Sequence, residues 1–354
     1  MALESLKIEN FRCLESVEFA PGSSYSLVYG ENASGKTSLL EAIAYLGRGK
    51  SFRGATTQAL VRHDQQAFTL FGRVSTESHT ASVGVQNSRD GLQVRINGED
   101  GNAAGLAEVL PLQVIGPDIH SLVAGSPEER RKHLDWIAFH VEHGYLDIWR
   151  RFRRALKQRN AAVRGGTSGA ALAGWDQELV ETGMAVDAAR RGVATLVNDL
   201  IQEMGGDLLG YPVQVEYRQG WAQEHGLAEA LAANADRDRE TGSTQAGPHR
   251  GDLRLIVDDR QARKLVSRGQ QKLLACSLVL TAAELVQTHL ERPLLMLLDD
   301  PAAELDERSL ERLMQAVLGL GSQVIATSLQ ADAHFFPEEP RLFHVEHGNL
   351  SQVS

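Results

Sequence analysis

Gly30, four intervening residues, then Gly35, Lys36 and Thr37 form a pattern suited to holding phosphates. Glycines at these places let the backbone curl so that successive N–H groups face inward toward phosphate oxygens. A helix that opens at the loop adds its positive N-terminal end. Lys36 brings a point charge to the outer phosphates, and the Thr37 hydroxyl can ligate Mg²⁺. The candidate cradle is the whole stretch of Gly30, Glu31, Asn32, Ala33, Ser34, Gly35, Lys36, Thr37 and Ser38.

A phosphate cradle that works on its ligand needs an acidic partner, and "LLMLLDD" ends in Asp299 and Asp300. An unbroken apolar run reads as a strand buried on both faces. Carboxylates at its carboxyl end stand where open α/β sheets bind ligands. Asp299 is expected to hold Mg²⁺ through its water shell and Asp300 to polarise the attacking water. Upstream, "VSRGQQKLL" opens a helix. There Ser267, Gly269 and the helix N-terminus offer a second anion-binding surface, unless Ser267 or Gly269 is an ordinary helix cap. The order of phosphate loop, Ser-x-Gly-Gln, apolar strand with Asp-Asp, and "AELD" at 303–306 matches an ATP-binding-cassette head.

These groups need elements to carry them. "LESLKIENF" and "YSLVYG" read as strands around the turn "APGSS". Leu39, Leu40, Ile43 and Leu46 recur at helical spacing after the loop. "HTASVGVQNSRDGLQVRINGED" reads as two strands joined at Asn87 to Asp90, and "LPLQVIGPD" as a short strand. From Pro127 to Ala233 the pattern is mostly helical, with "RGGTSGAALAG" (164–174) as a flexible connection. "NADRDRETGSTQAGPHRGD" (234–252) reads as a charged linker. Alternation then returns with "LRLIVDD", a helix from Gln270 to Leu290, "PLLMLLDD", a helix from Ser309 to Leu320, "SQVIATS" and a closing hairpin. The expectation is an α/β head built from residues 1–125 and 245–354, with an inserted, mainly helical domain over 126–244.

The 354 residues allow two or three domains. No run of about 18 apolar residues occurs, which argues against a membrane span, and the start MALESLKIENF reads as a strand, not an export signal. Cys13 and Cys276 each sit beside apolar residues and are expected to be reduced core thiols of a cytoplasmic protein. The net charge of −10 excludes a protein that coats nucleic acid with its whole surface. Any nucleic-acid contact must use a local basic patch. Arg130 to Arg164 supplies one, with ten Lys and Arg against three Asp and Glu. "WRRFRRALKQR" places Arg150, Arg153, Arg154 and Lys157 on one side of a helix, opposite Trp149, Phe152 and Leu156. These are the candidate DNA contacts, salt-dependent and blind to sequence. A solvated basic face is the alternative. Arg53, Arg62 and the pair His249-Arg250 are weaker candidates.

The segments "IENFR", "GENASGKTSLLEAI", "SFR", "SPEERRKHLDW", "LKQRNAA", "GPHRGDL", "SRGQQKLL" and "LLDDPAAELD" resemble, in this order, those of the RecF family of bacterial recombination-repair ATPases, relatives of the SMC heads. The resemblance spans nearly the whole chain. It implies a cytoplasmic ATPase with ATP and Mg²⁺ as ligands, which forms an ATP-dependent homodimer on DNA. It further implies work at gaps and single-strand/double-strand junctions in DNA replication and repair, with RecO and RecR as partners in loading recombinase. Carried over residue by residue, Gln113 would be the sensor linking Mg²⁺ to the inserted domain. Ser267, Gly269 and Gln270 would touch the γ-phosphate of the opposite subunit, Asp306 would sit at the dimer seam, and Arg12 would lie near the nucleotide or in solvent.

Two departures from transporter-type cassettes bear on rate. Asp300 stands where a glutamate is common, one methylene shorter, and "SQVIATSL" carries Thr327 and Ser328 with no histidine nearby. Losing one such electrostatic contact costs about 3 to 4 kcal/mol of transition-state support, so slow hydrolysis is expected. A transporter's cytosolic ATPase subunit would share the cassette set but not the basic helical insert. A small-molecule kinase would need neither the Ser-x-Gly-Gln helix nor the "AELD" segment.

Overall fold

The computed structural model describes residues 1–76, 79–167 and 170–353. The chain divides into two compact units, one made of Met1–Ile119 with Glu291–Ser354 and the other of His120–Leu290.

The first unit is built from β1 (Ala2–Phe11), β2 (Leu14–Phe19), β3 (Tyr25–Tyr29), β4 (Ala67–Ser75), β5 (Thr80–Ser88), β6 (Gly91–Ile96), β7 (Glu99–Asp100) and β8 (Leu112–Ile115). The second contains β9 (Gln214–Arg218), β10 (Asp252–Val257) and β11 (Arg260–Gln261). The first unit then resumes with β12 (Leu295–Leu298), β13 (Gln323–Ser328), β14 (Arg341–Glu346) and β15 (Asn349–Val353). One sheet of the first unit runs β15-β14-β3-β13-β12-β8, with parallel pairings from β14 through β8 and β15 as an antiparallel edge. The four residues of β12 are all buried, as an apolar run in a parallel sheet requires. The other sheet, β2-β1-β4-β5-β6-β7, is antiparallel. Its strands alternate: Phe68, Leu70 and Val74 of β4 point inward, Phe71 and Arg73 outward.

The helix Lys36–Arg48 packs against strands of both sheets. Ten of its 13 residues are buried. A helix apolar on every side belongs inside a core. Phe11, Tyr45 and Phe68 pack edge to face, with Phe68 centred 4.9 Å from Phe11 and 5.1 Å from Tyr45. The Tyr45 hydroxyl accepts from Asn87, which satisfies the one polar group of the cluster.

In the second unit, the helices Pro127–Val141, Tyr145–Arg164, Ala170–Leu209 and Arg268–Leu290 pack on one another, and Pro127–Val141 and Ala170–Leu209 also pack on the small sheet β11-β10-β9. The expected return of the head at residue 245 is displaced to Glu291. Both β10 and the helix Arg268–Leu290 join the second unit, where that helix buries apolar residues against Ala170–Leu209 and Pro127–Val141. By length and composition that helix could cross a membrane, yet 67% of its apolar window is buried in the fold. Buried Lys272, Ser277 and Thr281 mark it as a core helix.

Three further expectations change. The segment 234–252 is no linker: it holds a helix Ala235–Thr241 and a 3₁₀ turn Pro248–Arg250. Its buried Asp238 and Thr244 grip the buried Arg159 guanidinium at 2.6 and 2.8 Å. Charge had suggested solvent, but here it is spent internally. The flexible connection over 164–174 is shortened, since helix resumes at Ala170. Ser168 and Gly169 lie outside the described residues. Of the two thiols expected in the core, Cys276 is buried, and burial pushes its thiol up to about 12. Cys13 is exposed in the β1–β2 turn, with Sγ 3.5 Å from Ser38 Oγ.

Candidate functional site

The site sits at the carboxyl ends of β3, β12 and β13, where parallel strands deliver their following residues to one edge. Gly30 leaves β3 at φ +157, and a side chain there would run into the Val345 carbonyl at 2.3 Å. Gly35 caps the helix at φ +121. Ser34 is buried, and its carbonyl accepts from the Gly348 amide at 2.8 Å, so the β14–β15 hairpin braces the loop. Among the described residues the Ser34 hydroxyl is buried without a hydrogen-bond partner, a polar atom left for a ligand to satisfy.

Lys36 is buried and folds back on the loop, donating to the Gly30 carbonyl at 2.6 Å and the Glu31 carbonyl at 2.8 Å. Burial lowers its pKa, opposed by the fields of Asp300 and Asp299. Glu31, Asn32 and Ala33 form the exposed rim of the loop, with Ala33 at φ +63.

Thr37 Oγ1 donates to Asp299 Oδ1 at 2.9 Å, and Thr327 Oγ1 donates to the same oxygen at 3.0 Å. The Asp299 amide is tied to the Ile115 carbonyl at 2.8 Å. Burial raises the Asp299 pKa, countered by the bonds from Thr37 and Thr327 and by the charge of Arg53. Asp300 follows at φ +49, its amide donating to Thr327 Oγ1 at 2.9 Å. The donor set of threonine hydroxyl and carboxylates is all hard oxygen. Magnesium bound with a nucleotide takes one or two carboxylates plus phosphate oxygens, so the residues fit that ion.

Gln113 does not join this cluster. It is buried within β8 beside Met296, short of the strand end, and its Oε1 faces Arg48 Nη2 at 3.4 Å. The position at that strand end is Gly116, which has no side chain. Asp306 caps the helix Glu307–Gly319, accepting from the Ser309 amide at 2.8 Å, and that bond holds its carboxyl below the usual range.

Ser267 and Gln270 cap each other in the second unit. The Ser267 amide donates to Gln270 Oε1 at 2.9 Å, and the Gln270 amide to Ser267 Oγ at 3.4 Å. This reciprocal box is what Ser-x-x-Gln makes at a helix start. Ser267 and Gln270 are exposed, and Gly269 is half-buried.

On the helix Tyr145–Arg164, Arg150, Arg153, Arg154 and Lys157 are exposed while Phe152 and Ala155 are buried. Arg150 lies 3.6 Å from Asp147 and Arg153 rests over Trp149. Arg151 is spent on Glu178 and Glu181. Arg62 pairs with Glu15 at 2.7 Å. His249 and Arg250 both engage the Thr244 carbonyl, which makes them a local latch.

Glu41 and Ser51 are site residues that spacing does not single out, and Thr327 stands out in the sequence only for the missing histidine beside it. Glu41 is fully buried on the phosphate-loop helix and binds Arg12 and the Ser51 hydroxyl. Ser51 in turn accepts from the Arg53 amide at 3.0 Å. A carboxylate on an otherwise apolar helix face was the available signal.

The profile of the RecF/RecN/SMC N terminal domain matches residues 2–348. The chain is 39% identical to the DNA replication and repair protein RecF of Pseudomonas fluorescens, covering 100% of this chain and 99% of that one. It is 36% identical to RecF of Shewanella pealeana, covering 100% of both. A solved structure of the recombination mediator protein RecF with ATP, from the RecFOR pathway, superposes with TM-score 0.89 over 99% of this chain and 97% of its own, at 23% identity. An Smc head bound to the C-winged helix domain of ScpA superposes with TM-score 0.59 over 100% and 98%, at 14% identity. The chain therefore belongs to the RecF/RecN/SMC N-terminal domain family, within its branch of RecF DNA replication and repair proteins.

Proposed function

We propose that this chain is an ATP-dependent DNA-binding ATPase of recombinational repair, in which ATP joins two copies around DNA and slow hydrolysis releases them. The 2.9 Å bond between Thr37 and Asp299 carries this reading, because it joins the phosphate loop to the acidic strand end. Lys36 releases its two loop carbonyls to meet the outer phosphates. Thr37 and Asp299 hold magnesium, and Asp300 orients the attacking water. A bound magnesium ion supplies Lewis-acid polarisation of the phosphoryl oxygens. Asp300 is short for its task, which supports slow turnover. RecF with ATP in the RecFOR pathway, similar in fold, supports ATP as ligand and RecO and RecR as partners.

Ser267, Gly269 and Gln270 meet the γ-phosphate held by the other copy, with Asp306 at the seam. Exposure of Ser267 and Gln270 at a helix N-terminus supports this role. The exposed face of Arg150, Arg153, Arg154 and Lys157 contacts the DNA backbone at gaps and single-strand/double-strand junctions. The protein works in the cytoplasm.

Sedimentation with ATP or a non-hydrolysable analogue tests the reading. Wild type is expected to dimerise with nucleotide. Ser267→Arg is expected to stay monomeric while still binding ATP. A Ser267→Arg chain that still pairs removes this segment from the interface.

A further inference from the structure

Thr327 touches both acidic residues of the site at once. It lies on β13 opposite Val28 of β3 and is fully buried. A hydroxyl has one proton to give and lone pairs to receive. Thr327 gives its proton to Asp299 Oδ1 at 3.0 Å, an ionisable acceptor that outcompetes the Leu298 carbonyl at 3.5 Å. Its oxygen receives the Asp300 N–H at 2.9 Å. Asp300 sits at φ +49, in the left-handed region that aspartate visits as a single residue in turns.

We infer that Thr327 is a positioning residue for the nucleotide reaction: its hydroxyl fixes the Asp299 carboxylate against Thr37 and pins the left-handed turn that presents Asp300. This rests on the nucleotide reading above. One hydroxyl thereby sets the aim of the metal-binding carboxylate and of the water-orienting one. Valine keeps the volume of threonine and loses both bonds. Serine keeps both bonds and loses a methyl group.

The test measures binding of a fluorescent ATP analogue to the full chain as Mg²⁺ is raised, for wild type, Thr327→Val and Thr327→Ser. Residues that support a metal ligand typically change metal affinity about 10- to 100-fold when removed. The Mg²⁺ concentration for half-maximal tightening is therefore expected to rise at least about 10-fold in Thr327→Val and to stay near wild type in Thr327→Ser. Binding without Mg²⁺ is expected to be equal in all three, since Lys36 and the loop amides are untouched. A merely structural role gives the reverse order, with valine tolerated and serine impaired. That order, or a wild-type Mg²⁺ requirement in Thr327→Val, overturns the inference. Should Thr327→Val fail to fold, Thr327→Cys takes its place: its weak donor is expected to raise the Mg²⁺ requirement, and a wild-type value overturns the inference. A wild-type chain that binds no ATP defeats the nucleotide reading itself. ATP binding by wild type with no effect at Thr327 defeats only this step.

Discussion

Glu41 and Arg12 form a two-pronged ion pair beside the phosphate loop, with Arg12 Nη2 3.0 Å from Glu41 Oε1 and Nε against Oε2. Glu41 is fully buried, and Arg12 is largely so. Through Ser51 the same carboxylate anchors the turn that carries Arg53. One buried charge thus ties two loops to the helix that begins at Lys36.

Removing that carboxylate leaves Arg12 without its partner in a poorly hydrated place. Glu41→Ala is expected to destabilise the first unit by about 3 kcal/mol. The four tryptophans all lie between residues 136 and 221, so their fluorescence follows the second unit. Denaturation followed by circular dichroism is expected to lose an early component that tryptophan fluorescence does not register. Adding Arg12→Ala is expected to restore part of the loss, as a coupled pair requires.

His249 gives the second unit a pH dependence. Burial lowers its pKa from 6.5 to about 4. The neutral ring bonds to the Thr244 carbonyl through Nε2 at 2.9 Å. Below 6.5 the unfolded chain takes up a proton that the folded chain refuses. The stabilisation is therefore complete above pH 6.5 and is lost as pH falls toward 4, by at most about 3 kcal/mol. His249→Gln is expected to flatten that part of the stability-against-pH curve, measured by urea denaturation with tryptophan fluorescence. An unchanged slope would mean that His249 does not carry it.

The basic helix yields a salt-dependence prediction. Arg154 and Lys157 are exposed on the face opposite Phe152. If both meet phosphates, Arg154→Ala with Lys157→Ala reduces the slope of log affinity against log salt by about 2. The loss is expected to be the same on unrelated DNA sequences, because phosphates carry no base identity. Fluorescence anisotropy with gapped DNA across a salt series reads the slope. A slope equal to wild type removes these two residues from the interface.

Local chemistry made the phosphate loop legible. Gly30, Gly35, Lys36 and Thr37 lie within eight residues, so their mutual geometry is set by one turn and one helix start. The buried strand before Asp299 was legible for a similar reason, since four consecutive buried apolar residues leave no solvent face. Gln113 shows where such reading stops. Its side chain chose Arg48, the last residue of the phosphate-loop helix, and nothing in "LPLQVIGPD" announces a partner so distant in the chain. The segment 234–252 misled for a related reason. Its charges are those of a solvated loop until Arg159, from a separate helix, neutralises Asp238.

By itself the sequence determined the family, the α/β class, the phosphate loop and the acidic strand end, because each is written in contiguous residues whose backbone preferences and hydrophobic pattern act over short range. Only the tertiary structure decided that Thr37 and Asp299, 262 residues apart, share a hydrogen bond, that Thr327 bonds to both Asp299 and Asp300, and that the chain re-enters its first unit at Glu291. Those outcomes depend on strand order and on which buried polar group finds which partner. Burial makes an unpaired charge or hydroxyl costly, and the folded chain as a whole settles every such pairing.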